Sequence, residues 1–202
     1  MKDNFENEEN KNAKRQILVL LGSPHENGYT ARFLRAFLEP LKSDARVTVV
    51  NAFRAGITPC NGCNFCSTAP QCAMRDFDEI DALIRQSDLI VVATPVYYLS
   101  FPAPLKAIID RMQQYFSARF SLGINPPIEK HRLAAVLVTA GSSDLDGAEI
   151  ISRQLKMAFS VMNTSIEGMA VWGSTDLEKG DGISAQAQES ARNLALAIKS
   201  KL

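Results

Sequence analysis

The chain has 202 residues, of which 46% are hydrophobic and 22% charged, as expected for a globular protein with one large core. Lys and Arg together number 22, as do Asp and Glu, so the surplus of positive charge that nucleic-acid binding requires is absent. No apolar run approaches the roughly 18 residues that span a bilayer, and the N-terminus lacks the apolar stretch of a signal peptide. We therefore predict a cytoplasmic protein that binds neither nucleic acid nor membrane. It has a disordered polar tail at residues 1–14 and a single domain at residues 15–202.

Short apolar or β-branched runs alternate along the chain with segments of helical period. The runs predict strands at residues 16–21, 46–50, 88–93, 133–139 and 165–172. The periodic segments predict helices at residues 29–41, 77–86 (with Asp76 as the N-cap), 102–116, 146–162 and 185–202. Gly123 and two prolines indicate a loop at residues 115–130. The alternation predicts an α/β fold with a parallel sheet covered on both faces, because right-handed crossovers place helices there.

The first predicted strand leads into LGSPHENGYT and then a helix, which is the arrangement of an anion-binding loop. Backbone N–H groups at a helix start and the helix dipole attract negative charge. Ser23, Asn27 and Thr30 add side-chain donors, while Gly22 and Gly28 permit close approach. The loop matches neither GxGxxG nor GxxxxGK[ST] and contains no lysine, so it favours a monophosphate over a dinucleotide or ATP. An ordinary strand–helix turn is the alternative.

Two further loops follow the third and fourth predicted strands. In open α/β sheets, ligands lie beyond the carboxyl ends of the strands. A flat heteroaromatic ring needs apolar faces and a few donors at its edge. The third strand leads into aromatic surface and backbone groups at Pro95, Val96, Tyr97 and Tyr98. The fourth leads into a small-residue loop, TAGSSDLDG, that could approach a ring edge. Aromatic packing and a plain turn are the alternatives for the two loops.

Three segments together, LGSPHENGYTARFL, PCNGCNFCSTAPQC and TPVYYLSFPAPLKAIIDR, resemble the flavodoxin-fold NADPH-dependent FMN reductase family, and especially its iron-sulfur flavoprotein branch. The resemblance implies a flavodoxin-like three-layer α/β/α sandwich whose five-stranded parallel sheet has the order 2-1-3-4-5. It implies non-covalent FMN, NAD(P)H as co-substrate, and hydride transfer through N5 of FMN to a small-molecule acceptor such as flavin or a quinone. It also implies a homodimer or homotetramer.

The resemblance also assigns residues to the parts of FMN. The residues expected to bind the phosphate are Ser23, Asn27, Gly28, Tyr29 and Thr30. Those expected to contact the ribityl chain and ring are Pro95, Val96, Tyr97 and Tyr98, and those expected at the pyrimidine end of the ring are Thr139, Ala140 and Gly141. His25 stands where the family often has a basic residue, which weakens charge compensation at the phosphate. No catalytic side chain is predicted, because N5 of the flavin accepts the hydride itself.

All four cysteines lie in one short segment, at Cys60, Cys63, Cys66 and Cys72. Clustered cysteines indicate metal or redox chemistry in a reducing compartment rather than disulfide staples. The spacing C-x2-C-x2-C-x5-C lets four thiolates converge on one site. The resemblance implies a 4Fe-4S cluster that passes single electrons between FMN and a ferredoxin-like donor. Zinc, free thiols and a redox disulfide remain open for the cysteines, and a non-enzymatic FMN-binding module remains open for the whole chain.

Overall fold

A five-stranded parallel sheet forms the centre of the fold. The computed structural model describes residues 14–178, 180 and 182–202, so the predicted tail lies outside the described residues except for Lys14. The strand order is β2-β1-β3-β4-β5, with every neighbouring pair parallel. The bounds are β1 (Arg15–Leu21), β2 (Ala45–Asn51), β3 (Leu89–Pro95), β4 (Arg132–Thr139) and β5 (Thr164–Trp172). The predicted fold class and strand order are confirmed.

Helices cover both faces of this sheet and bury two separate apolar cores. Their bounds are α1 (Tyr29–Leu38), α2 (Asp78–Gln86), α3 (Ala103–Arg111), α4 (Gln113–Phe120), α5 (Asp146–Ser160) and α6 (Ala185–Lys199). Side chains of β1 alternate between the cores: Val19 joins the one under α1 and α6, whereas Leu20 joins the one under α2 to α5. This burial on both faces explains why the strands appear as continuous apolar runs. No helix of the described residues has the length and apolarity needed to cross a membrane.

Two predicted features differ in the structure. The single helix predicted at residues 102–116 is two helices that meet at Met112, and α4 extends to Phe120, inside the predicted loop. Asp76 is not a helix N-cap, because it lies in a 3-10 turn, Arg75–Phe77, that precedes α2. Its carboxylate accepts hydrogen bonds from elsewhere, including the guanidinium of Arg111. A long-range partner has therefore replaced the local capping contact.

Candidate functional site

Thr139, the last residue of β4, connects the three predicted loops. Its buried hydroxyl shares a 2.7 Å hydrogen bond with the hydroxyl of Thr30, a residue 109 positions away at the start of α1. Its carbonyl oxygen accepts a 2.9 Å hydrogen bond from the N–H of Val96. The loops after β1, β3 and β4 are therefore in direct contact at the carboxyl edge of the sheet.

The loop between β1 and α1, residues 22–30, has the backbone of an anion site, and we call it the phosphate loop. Within the described part of the chain, no acceptor pairs with the backbone N–H groups of Ser23, Glu26, Asn27, Tyr29 and Thr30. These N–H groups lie at the positive end of the α1 dipole. The α1 N-cap is a glycine with no side-chain cap, so no side chain of its own occupies this end of the helix. Such a set of unpaired donors fits a phosphate.

Three arginines surround the phosphate loop, and none of them was part of the predicted site. Arg32 Nε and Arg35 Nη1 donate to backbone carbonyls of the loop at 2.8 and 3.1 Å. Arg54, which follows β2, pairs with Glu26 of the loop at 2.5 Å. Arg32 and Arg35 thus bring positive charge beside the loop, whereas the charge of Arg54 is paired with that of Glu26. A partial signal was present in the sequence, since Arg32 and Arg35 fall in the first turns of the helix that the loop opens.

The other predicted phosphate residues differ in their surroundings. Ser23 is buried, and its hydroxyl accepts a hydrogen bond from the N–H of His25 at 3.3 Å. Asn27 is exposed, while the ring of Tyr29 packs edge-on against Trp172 with centroids 5.2 Å apart. Tyr29 thus offers its backbone N–H to the loop, and its side chain belongs to the core.

The loop after β3 forms a tight turn that presents aromatic surface to solvent. Tyr97 and Ser100 exchange two backbone hydrogen bonds of 2.9 Å, which leaves Tyr98 and Leu99 as the turn residues. Both have left-handed backbones, with φ of 48° and 60°, a conformation that costs energy for residues other than glycine. Tyr98 is fully exposed and Tyr97 is 46% exposed, so packing within the chain does not account for these aromatic rings.

A fourth segment, the loop after β5, lies beside the predicted ring site. Ala140 donates from its N–H to Trp172 and accepts from both the N–H and the hydroxyl of Thr175, at 3.0 to 3.1 Å. The carboxylate of Asp176 covers Gly141 so closely that a Cβ at Gly141 would collide with it. Asp176 was not among the predicted site residues, although it follows the fifth predicted strand and so belongs to the same sheet edge.

The four cysteines surround one small cavity. It has a volume of about 30 Å³ and is walled on the other side by α3 and α4, including Arg111. All four thiols are free, two of them exposed and two half-buried. The Cys66 thiol is hydrogen-bonded to the buried hydroxyl of Ser117 at 3.3 Å. We call Cys60, Cys63, Cys66 and Cys72 the cysteine quartet.

The donors around this cavity are four thiols and one arginine. Within the described residues, no three His, Cys, Asp or Glu side chains form a group that could hold one metal ion, so the four thiols line the cavity without converging on one point. The wall contributes a buried donor, Arg111 Nε, which has no hydrogen-bond partner there. Thiolates and the sulfides of a cluster are acceptors for such a donor. Four thiolates are the ligand set that a 4Fe-4S cluster uses, and this segment supplies all four.

Comparison with known proteins agrees with this geometry. Residues 15–174 match the model of the NADPH-dependent FMN reductase family. An iron-sulfur flavoprotein of Archaeoglobus fulgidus is 32% identical over 186 residues, covering 90% of this chain and 80% of the relative. One of Methanocaldococcus jannaschii is 27% identical over 191 residues, covering 89% and 93%. A structure of an NAD(P)H:quinone oxidoreductase from Methanothermobacter marburgensis shares the fold, with a TM-score of 0.69, 20% identity and coverage of 93% and 97%. The chain therefore belongs to the NADPH-dependent FMN reductase family and is an NAD(P)H-dependent FMN oxidoreductase.

Proposed function

We propose that FMN lies across the carboxyl edge of the sheet and passes electrons from NAD(P)H to a small-molecule acceptor such as a flavin or a quinone. The observation that supports this most is the junction at Thr139, which connects the phosphate loop to the loops after β3 and β4. The phosphate would bind the unpaired N–H groups of the phosphate loop. The ring would lie between the loop at residues 95–98 and the loop at residues 139–141, as the resemblance implies.

In this proposal, the protein chain binds FMN and orients it. When bound, FMN supplies an acceptor for hydride at N5 and a donor of single electrons. Arg32 and Arg35 would balance part of the charge of the phosphate. Asp176 would place its carboxylate near the edge of the flavin ring, where its negative charge opposes the development of negative charge on the ring. The exposed rings of the β3 loop leave an open face on which NAD(P)H and the acceptor can bind in turn, so we expect ping-pong kinetics.

Replacing Thr30 with Val tests the phosphate assignment. Loss of a hydrogen bond to a charged group costs about 1.5–3 kcal/mol, which corresponds to roughly tenfold to a hundredfold weaker FMN binding. Titration of the FMN-free protein with FMN, followed by flavin fluorescence, measures the affinity. Thr48→Val on β2, distant from the loop, is the matched control and should bind FMN as the native protein does. Equal affinities of both variants would remove Thr30 from the site.

A second candidate function is single-electron transfer through a 4Fe-4S cluster at the cysteine quartet. The shared cavity and the unused Arg111 donor favour it. The cluster would exchange electrons between FMN and a ferredoxin-like donor. Anaerobic purification should then yield about four iron atoms per chain, since a 4Fe-4S cluster is held by four thiolates. Cys63→Ser should lose most of this iron. Iron-free protein under these conditions would eliminate this candidate and leave the first one intact.

The same proposal includes the expectation that the protein is a homo-oligomer of the cytoplasm. An apolar face that includes Phe116, Phe120 and Met157 is exposed on α4 and α5, with exposures of 47%, 61% and 77%. Exposed apolar patches of this kind are typical of protein interfaces, which supports a homodimer or homotetramer. Light scattering should therefore report more than one chain per particle. Four free thiols in one segment support the reducing environment of the cytoplasm.

A further inference from the structure

One arginine holds together the two ends of the segment that carries the cysteines, residues 58–76, which we call the cysteine segment. The side chain of Arg111, at the end of α3, is completely buried. Its Nη1 donates to the carbonyl of Thr58 at 2.8 Å, and its Nη2 donates to the carbonyl of Met74 at 2.6 Å. A single guanidinium thus bridges the chain just before the first cysteine and just after the last.

Asp76 completes this bridge. One carboxylate oxygen pairs with Arg111 Nη1 at 2.8 Å, and the other accepts the N–H of Thr58 at 2.8 Å. The guanidinium also lies over the ring of Phe77, 5.5 Å from its centre. A buried charge is tolerated only when it is paired and hydrogen-bonded, and these contacts provide both conditions. Lysine could not replace this fork, because its single ammonium cannot reach three acceptors in one plane.

The bridge leaves one nitrogen of the guanidinium without any partner in the described part of the chain, and Arg111 lines the cavity of the cysteines. Arg111 Nε is buried and lacks a hydrogen-bond partner among the described residues, and Arg111 lines the same cavity as the cysteine quartet. A buried donor without an acceptor is costly, so an acceptor inside the cavity would relieve that cost. The thiolates and sulfides of an anionic cluster are acceptors of this kind.

We propose that Arg111 is the positioning residue of the cysteine segment: it closes the segment before any metal is present and supplies the buried donor for a negatively charged, thiolate-ligated occupant. The identity of the occupant rests on the proposed iron-sulfur function. The closure does not, because every contact that produces it joins groups of the protein itself.

The closure is tested in protein freed of metal and still loaded with FMN. The rate at which a maleimide labels the half-buried Cys66 and Cys72 reports how often the segment opens. In Arg111→Lys we expect labelling to be roughly tenfold to a hundredfold faster, the effect of losing one hydrogen bond to a charged group. Arg119→Lys is the matched control, since Arg119 is a half-buried arginine of the neighbouring α4 that bonds to the carbonyl of Ser160 and not to the cysteine segment, so it should not alter the rate. Equal rates in Arg111→Lys and the control would overturn the proposal.

A second variant covers the case in which Arg111→Lys fails to fold. Asp76→Ala removes the partly exposed carboxylate that pairs with Arg111 Nη1 and accepts the N–H of Thr58, while the two bonds from Arg111 to backbone carbonyls remain. It should also speed labelling of Cys66 and Cys72, and an unchanged rate in this variant would contradict the closure. Iron uptake gives an independent readout: after anaerobic reconstitution, either variant should hold less iron than the native protein. If native protein takes up no iron, the iron-sulfur function fails while the labelling rates still decide the role of Arg111.

Discussion

Gly22, where β1 ends and the phosphate loop begins, offers a direct test of how the loop is held. A Cβ at this position would lie 2.7 Å from Leu105 Cδ2 and 2.9 Å from Thr94 Oγ1. Carbon atoms pack at about 3.5–4.0 Å, so the loop or α3 must move by about 1 Å in Gly22→Ala. Leu105 is fully buried and cannot turn away. Overpacking costs about 1–3 kcal/mol, whereas Ala in place of Gly stabilises by about 0.4–1 kcal/mol through the unfolded state.

The unfolded-state gain applies equally to an alanine at an unobstructed glycine, so we expect Gly22→Ala to be about 1–3 kcal/mol less stable in urea than such a control. We also expect FMN affinity to fall by roughly tenfold or more, because about 1.4 kcal/mol of misplaced contact suffices for that change. Gly182→Ala is the matched control, since a Cβ there meets nothing within 4 Å. A variant as stable as the control would refute the packing argument. A destabilised variant with native FMN affinity would refute the placement of the phosphate.

Three further predictions concern the turn after β3 and the cysteine segment. Leu99→Gly should raise the unfolding free energy in urea by about 1 kcal/mol, because glycine relieves the left-handed backbone; Leu99→Ala should not, and a gain in both would contradict the reasoning. Burial acts to raise the pKa of Asp76, but hydrogen bonds from a backbone N–H and from Arg111 outweigh it and keep the pKa below its ordinary value. This stabilisation is present above about pH 4 and is lost as the pH falls through the lowered pKa. Asp76→Asn should therefore have a lower unfolding free energy than the native protein at neutral pH and the same one in acid. A difference in unfolding free energy that does not depend on pH would contradict this. Ser117→Ala removes the hydrogen bond to Cys66, so in protein reconstituted with the proposed cluster redox titration should give a more negative cluster potential, and an unchanged potential would contradict it.

The sheet could be predicted from the sequence because its three inner strands, β1, β3 and β4, are buried on both faces and its two edge strands are rich in β-branched residues. Each of the five strands stands as an apolar or β-branched run, and the observed bounds agree with the predicted ones within two residues. The break at Met112 could not be predicted, since a helical pattern continues on both sides of it. The break coincides with Arg111, whose side chain leaves the helix surface for the cysteine segment. Contacts between residues distant in the sequence determine such a break, and local periodicity does not record them.

The candidate site, too, could be predicted only in part. Its three loops could be located because parallel strands present their carboxyl ends at one edge, and the bond between Thr30 and Thr139 lies there. Asp76 was misassigned because a short polar residue before a helix is typical of an N-cap, whereas its carboxylate has distant partners. Arg111 was missed for the complementary reason, since an arginine on a helix is ordinarily exposed and this one is buried.

The central claim is that this chain binds FMN at the carboxyl edge of the sheet and that NAD(P)H reduces it there. Anaerobic titration of the purified protein with NADPH and with NADH, followed through the visible flavin absorbance, tests it most directly. We expect one FMN per chain and loss of its visible absorbance with at least one of the two nucleotides, followed by recovery when a quinone is added. A protein that binds no FMN, or whose bound FMN stays oxidised with both nucleotides, would contradict it.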